Sequence, residues 1–517
     1  MTRTSTISSL PFKTWIRKDS ENNVYLIMSG IFSILAFIWL KMTYPHPNFL
    51  PDSYSYLDAA FNNQDINMWP IGYSKFLRLF SSFTRSDIAL VFVQYILLQA
   101  SVLYFLFTIR YLLSPGKWLF RILSFCCIVN PISLYVSNFI SSDALFATLS
   151  LVWFTQLLWI LYRPGVRLLI LHALVLLLAF SVRYNALYYP LISLALIGLT
   201  HMSISKKIIG IGSMLLLLGG FVGFNLYKSR QLTGSAQFSA FGGWQMASNA
   251  LFAYAHADPD SAATVPAKFR ELQGIVIRHM DSLSRLTIRP DKELGIYYLW
   301  DDHAPLKEYL IARYRKDSVT DGYKRWSSMG PIYSAYGGWL IGKHPLVFIG
   351  HYLLPNIVNY YVPSPEFMNI YNMGKDTVED LAKFWFNYKT NKVTVPNKQI
   401  GFMDSYPIAL AIINLVFVLS FVSFWLLEGF KKSGPYPSKA LKWMGCIWLA
   451  NFGFSVLASP IVLRYQVFPM LITFAFLGIL IEFIHRESRA TKPIKHNNHE
   501  HESPNILNSP GGIIRLR

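Results

Sequence analysis

A carboxylate stands just beyond the first long apolar run of this chain: Asp52, in FLPDSYSYLDAA. Ionisable groups beside a membrane are costly and ask for a reason. A carboxylate in this position can act as a general base towards a hydroxyl, or hold a metal. It can also serve as a helix N-cap, satisfying free backbone N–H groups. Asp143, in NFISSDALF, opens another apolar run, where the helix dipole favours a negative charge. Arg464, in SPIVLRYQVFP, opens the last run and reads either as a functional cation or as a snorkelling anchor. Arg183 interrupts a long apolar stretch in SVRYNALYYP, and GYSKFLRLF carries Lys75 and Arg78. Between residues 228 and 403, FGGWQMASNALFAYAH and YYLWDDHAPLKEYL concentrate Trp244, Asn249, His256, Trp300, Asp301, Asp302 and His303. Aromatic faces beside amide and carboxylate edges are what carbohydrate recognition uses, and the same residues also build folded cores. His256 and His303, with Asp301 or Asp302, are the metal-ligand candidates, although they lack the close spacing of a dedicated site.

The elements that must position these groups are membrane helices. The 517 residues are 53% hydrophobic and only 15% charged, against about 25% charged in a soluble domain. Mean hydropathy is +0.33. Apolar runs of spanning length occur at 24–43, 87–109, 119–139, 143–161, 167–182, 185–201, 207–227, 404–427, 442–459 and 461–484. The net charge of +19 is dispersed in short segments flanking these runs. That is a topology signal, whereas a nucleic-acid binder gathers its charge in one stripe. Placing the basic connections in the cytoplasm predicts about ten spans with both termini inside. Residues 1–23 are then a cytoplasmic segment, and 44–86 and 228–403 face outward.

Within the outer regions, YSYLDAAF and GYSKFLRLFSSF carry the mixed three-four spacing of helices lying on a membrane surface. Residues 345–362 are apolar, yet His351, Pro355, Asn356 and Asn359 suit an interfacial or re-entrant helix better than a lipid-facing span. The 228–403 insertion reads as a folded cap of mixed structure, and residues 485–517 as a disordered tail whose His496, His499 and His501 read as solvated polar residues. Cys126, Cys127 and Cys446 all lie in apolar runs and read as buried inert thiols. No cleavable leader is expected, because the first apolar run is long enough to remain as an anchor.

Taken in order, PDSYSYLDAA, WPIGYSKFL, NPISLYVSNFISSDALFATLSLVWF, SVRYNALYYPL and LRYQVFP resemble the GT-C superfamily of membrane glycosyltransferases, which includes protein O-mannosyltransferases and lipid A aminoarabinose transferases. The likeness covers residues 24–227 and 404–484; the Glu-Lys pair of the aminoarabinose transferases is absent. It implies a GT-C-like all-α bundle and a polyprenyl-phosphate-linked sugar as donor. Transfer would be to a glycan, lipid or protein acceptor on the non-cytoplasmic face, with inversion. Asp52 would be the general base and Asp143 the second acidic residue. Arg183 and Arg464, with Lys75 and Arg78 in reserve, would face the lipid phosphate, because a planar guanidinium holds two phosphate oxygens at once. Trp69 and Tyr73 of the first loop, with Trp244, Asn249, His256, Trp300, Asp301 and His303, would contact sugar or acceptor. The pattern admits a divalent metal and names no other cofactor. Membrane lipids are the other expected partners and nucleic acid is not one. The resemblance points to a bacterial inner membrane.

Two other classes fit the composition: a glycolipid transporter or flippase, and a polysaccharide polymerase or ligase. The chain shows no matching halves of the kind many transporters have. No P-loop, GxSxG or HExxH pattern occurs, which leaves nucleotide hydrolysis and zinc proteolysis without support.

Overall fold

In the computed structural model, residues 10–490 are described apart from 259, 262–263, 294–295, 318–319, 396–398 and 459. The three tail histidines lie outside the described residues. Eight helices are long and apolar enough to cross a membrane: Ser20–Thr43, Asp87–Leu113, Lys117–Val136, Asp143–Tyr162, Ile204–Thr233, Gly401–Leu426, Pro435–Ala458 and Leu463–Arg489. Two shorter apolar helices, Val166–Val182 and Tyr184–Leu199, occupy the fifth and sixth expected positions. Apolar side chains such as Ile27, Ile31, Leu35, Ile408, Ile412, Leu415 and Leu419 point outward from the bundle. A belt of this extent suits lipid as its solvent and would be a liability in water. The chain is thus a helical membrane protein.

Several boundaries differ from the expectation for local reasons. The third run breaks at Asn130, whose side chain caps the short helix Pro131–Val136 by accepting from Ile132 N. The seventh helix continues past residue 227 because Lys228 finds Asp65 of the first outer loop 2.8 Å away. Of the three thiols only Cys127 is buried; Cys126 and Cys446 sit exposed on the outside of their helices.

The insertion is helical where mixed structure was expected, with no named strand among its described residues. Its core is aromatic: Trp244 stacks on Trp326 and meets Tyr333 edge-on. Its two main helices, Ala240–Tyr254 and Gly330–Lys343, approach so closely that glycines are required at the crossing. A Cβ on Gly243 would lie 2.0 Å from the Gly330 carbonyl oxygen, and one on Gly337 2.8 Å from the Ala247 nitrogen.

The segment Pro345–Tyr361 forms one helical stretch containing a π-turn at Ile349–Leu353. It runs antiparallel to the C-terminal half of the helix Pro435–Ala458. The Tyr352 hydroxyl donates to the Leu457 carbonyl, Asn356 to the Val456 carbonyl, and the Tyr360 ring packs on Trp448 and Phe452. The chain then turns back, and Ser364 pairs with Val462 at the start of the last span. These polar side chains satisfy backbone carbonyls that a helix end leaves free.

Substitution Gly243→Ala or Gly337→Ala forces two backbones apart and is expected to cost about 1–3 kcal/mol. The thermal midpoint of the purified protein in detergent should fall for both. Gly338→Ala, where a Cβ meets nothing within 4 Å, should leave it unchanged or raise it.

Candidate functional site

Five segments far apart in sequence meet at one point at one end of the bundle. Asn48 is their pivot. Its backbone N–H donates to the Asn138 carbonyl and its carbonyl accepts from Ile140 N, which ties the first outer loop to the mouth of the fourth span. Its side chain donates to the Tyr135 hydroxyl and accepts from Asn372 N. Asn372 returns the bond to Phe49 N at 3.3 Å, so the end of the insertion is fastened to the start of the first surface helix.

That helix, Pro51–Phe61, begins with proline at its first position, where the missing N–H costs nothing. Ser53 closes the turn: its hydroxyl accepts from Leu50 N at 2.8 Å, and its N–H donates to the Leu50 carbonyl at 2.9 Å. The N-cap alternative for Asp52 therefore gives way, because Ser53 does that work. Asp52, Ser55 and Tyr56, three and four residues apart on one helix face, line a cavity of about 1120 Å³, while Ser53, Leu57 and Ala60 are buried.

Opposite Asp52 lies Arg464, on a short 3-10 turn, Leu463–Gln466, that opens the last span. It is 7% exposed and shared among three carboxylates. Its Nη1 is 3.3 Å from Asp143 and 3.8 Å from Asp52, and its Nε is 3.1 Å from Glu366. Arg183 caps the helix Val166–Val182 in extended conformation, which turns its side chain towards Asp143 in a direct ion pair. Asp143 also accepts from the Ser141 hydroxyl at 2.6 Å, so it is the shared counter-ion of both guanidiniums. Both guanidiniums cover the ring of Tyr465, at 4.0 Å for Arg183 and 4.6 Å for Arg464. The ring fixes the forks through cation–π contact. Tyr56 bonds Ser142 at 3.0 Å, completing the wall.

Asp52 differs from Asp143 in its lack of partners. It has no hydrogen bond among the described residues, and its nearest cation is the shared Nη1 of Arg464. Its side chain is 24% exposed, and what it faces is the cavity. Removal from bulk water pushes its carboxyl above the usual carboxylate range, with Arg464 opposing and Asp143 reinforcing the rise.

The cavity lining is mixed in character. Asp52, Arg183, Arg464 and Glu366 share it with many apolar side chains, among them Phe238, Leu187, Phe348, Phe454 and Leu457. Over the cavity, Trp69, Phe241 and Trp300 form a triangle with ring centroids 4.9–6.2 Å apart. The two indole N–H groups have no protein partner among the described residues, and Gln245 and Asn249 stand on the same wall.

The structure thus brings together Asp52, Asp143, Arg183 and Arg464 in one cluster, with Trp69, Trp300 and Asn249 on the adjoining cavity. It places the others elsewhere. Lys75 bonds Asn63, and Arg78 donates to the carbonyls of Ala60 and Phe61 at the end of the first surface helix. Tyr73 is buried and donates to Gln94; Trp244 is buried in the cap core and donates to the Trp326 carbonyl. His256 stacks on His351, not on His303, and His303 is exposed beside Asp301, which accepts its N–H. No group of three or more His, Cys, Asp or Glu able to hold a metal occurs among the described residues. Glu366, Tyr56 and Tyr465 were not anticipated. Only Tyr465 left a trace in the sequence, as the ring next to Arg464.

The two aspartates are expected to respond oppositely to neutralisation. Asp143→Asn leaves Arg183 without its carboxylate and takes one of three from Arg464, and should lower stability by about 3 kcal/mol or more. For Asp52 the raised folded pKa means that its stabilising contribution is complete at low pH and is lost as pH rises through that value. Ionised Asp52 therefore costs stability at neutral pH, and Asp52→Asn should keep or raise the detergent melting midpoint. Parallel melting curves at pH 7 check both signs. Comparison with family models, curated proteins and solved structures returns no match.

Proposed function

We propose that the chain is an integral membrane glycosyltransferase of GT-C type, moving a sugar from a polyprenyl-phosphate donor to an acceptor hydroxyl on the non-cytoplasmic face. One observation carries this reading: a carboxylate with few partners and a pair of guanidiniums line a large cavity whose other walls are mostly apolar. An amphiphile with an anionic head and a long hydrocarbon tail matches both kinds of wall. A lipid-linked donor also accounts for placing such chemistry in a membrane protein.

In the proposed reaction Asp52 accepts the proton of the acceptor hydroxyl as its oxygen attacks the anomeric carbon. The bond from that carbon to the phosphate oxygen breaks, and the electron pair leaves with the lipid phosphate. Negative charge grows on the leaving oxygen, where Arg464, and behind it Arg183, lower its energy in a region screened from water. Attack from the face opposite the phosphate inverts the anomeric centre. Asp143 holds both guanidiniums in place. Trp69 and Trp300 offer faces and indole donors to a sugar ring, with Asn249 beside them.

The proposal includes ten spans, the eight long helices and the two short ones, with both termini in the cytoplasm and the insertion as an outer cap. A bacterial inner membrane is the proposed location.

Loss of the protein should make a lipid-linked sugar accumulate, identified by mass in extracted lipids, and wild-type protein should clear it. Asp52→Asn should not, its turnover falling by about a hundred- to ten-thousand-fold with expression unchanged. Clearance by Asp52→Asn would rule out a general base at this position. Turnover needs Asp52 ionised, so it should fall as pH drops through the raised pKa. The acid limb of the pH–rate profile is then expected above the usual carboxylate value of about 4.

A further inference from the structure

Glu366 is the one member of the charged cluster with a strained backbone. Its φ is 49°, in the left-handed region that non-glycine residues rarely occupy. Ser364 supports this turn, its hydroxyl accepting from Glu366 N at 3.1 Å while its carbonyl accepts from Leu463 N at 2.8 Å. The result is a side chain delivered from the insertion onto the Nε edge of Arg464, 3.1 Å away. Among the described residues its carboxylate pairs with Arg464 alone, and it lines the cavity. Asp143 by contrast is held by Ser141, Arg183 and Arg464 together.

The charges do not balance with Glu366 in place. Asp52, Asp143 and Glu366 face Arg183 and Arg464, an excess of one negative charge before any anionic ligand arrives. A phosphate entering beside three carboxylates would meet repulsion where like charges are poorly screened. Geometry marks which carboxylate gives way. A base, an attacking oxygen, an anomeric carbon and a leaving oxygen in line span roughly 7 Å. Asp52 and Glu366 lie on different edges of the same guanidinium, at 3.8 Å from Nη1 and 3.1 Å from Nε. A phosphate at the Glu366 position would thus meet the guanidinium on a different edge from the one Asp52 faces.

Resting on the reading of the site as a lipid-phosphate site, we infer that Glu366 is a displaceable stand-in for the donor phosphate. It neutralises Arg464 in the empty protein, and the phosphate takes its place on the Nε edge when the donor binds. Glu366 sets affinity for the phosphate and is a positioning residue, since it leaves before the chemistry. The strained turn lowers the cost of its departure, because the left-handed conformation is released with the ion pair.

The test is binding of polyprenyl monophosphate to the full-length protein in nanodiscs, followed by intrinsic fluorescence, since Trp69 and Trp300 line the cavity. Glu366→Gln is expected to bind the lipid phosphate about tenfold more tightly than wild type, and Glu366→Asp, which keeps the charge, close to wild type. Polyprenol without phosphate should show no difference among the three. Glu366→Ala supplies a second neutral variant should Gln disturb the turn, and melting curves verify that each is folded. Equal or weaker binding by the folded neutral variants, with wild type binding normally, overturns the stand-in role alone. Failure of wild type and every variant to bind the lipid phosphate overturns the lipid-phosphate reading and this inference with it.

Discussion

A buried guanidinium organises one end of the helical bundle. Arg464 is 7% exposed and sits where water cannot compensate its charge, so the fold must surround it with anions. Those anions come from three places: Asp52 from the first outer loop, Asp143 from the fourth span and Glu366 from the insertion. Each of these segments is thereby tied to the last span. Arg183 and Tyr465 extend the arrangement, with the ring in cation–π contact with both forks.

The neutral hydrogen bonds around Asn48 do a complementary job. They join the same outer segments without adding charge, through the Asn48–Asn138, Ile140–Asn48 and Asn48–Asn372 contacts. Because backbone groups carry most of these bonds, the geometry is set before any side chain in the cavity is considered. The charged cluster is then free to have an imperfect balance. Buried polar groups that are fully satisfied make a rigid frame, and Asp52 and Glu366, the least satisfied of the carboxylates, sit on the cavity inside it.

Much of the architecture was legible because hydrocarbon is an unforgiving solvent. Long apolar runs had to be helices, and the break at Arg183 was visible as an interruption of one of them. The same economy exposed Asp52, Asp143, Arg183 and Arg464, since charges at the ends of apolar runs are rare enough to need a partner. In the insertion that argument fails. Trp244 and Trp300 have the same composition around them, yet Trp244 supports the cap core and Trp300 faces the cavity. Lys75 and Arg78 were equally indistinguishable from phosphate ligands until their carbonyl and amide partners in the first loop were seen. Glu366 was hidden for a different reason. What marks it is a positive φ and a contact spanning about a hundred residues, neither of which a linear reading registers.

The two aspartates show how one cluster separates framework from chemistry. Asp143 has both oxygens engaged, which holds the two guanidiniums in place. Asp52 is kept ionisable by a single shared nitrogen of Arg464 and is held at an elevated pKa by its removal from water. A stronger ion pair would have made it more stable and a poorer base. Its position on the second residue of a helix, where Ser53 rather than Asp52 satisfies the backbone, leaves that carboxylate with no part in capping its own helix. A charge that is costly, weakly paired and turned towards a cavity is what the fold tolerates when the group is needed for something other than folding.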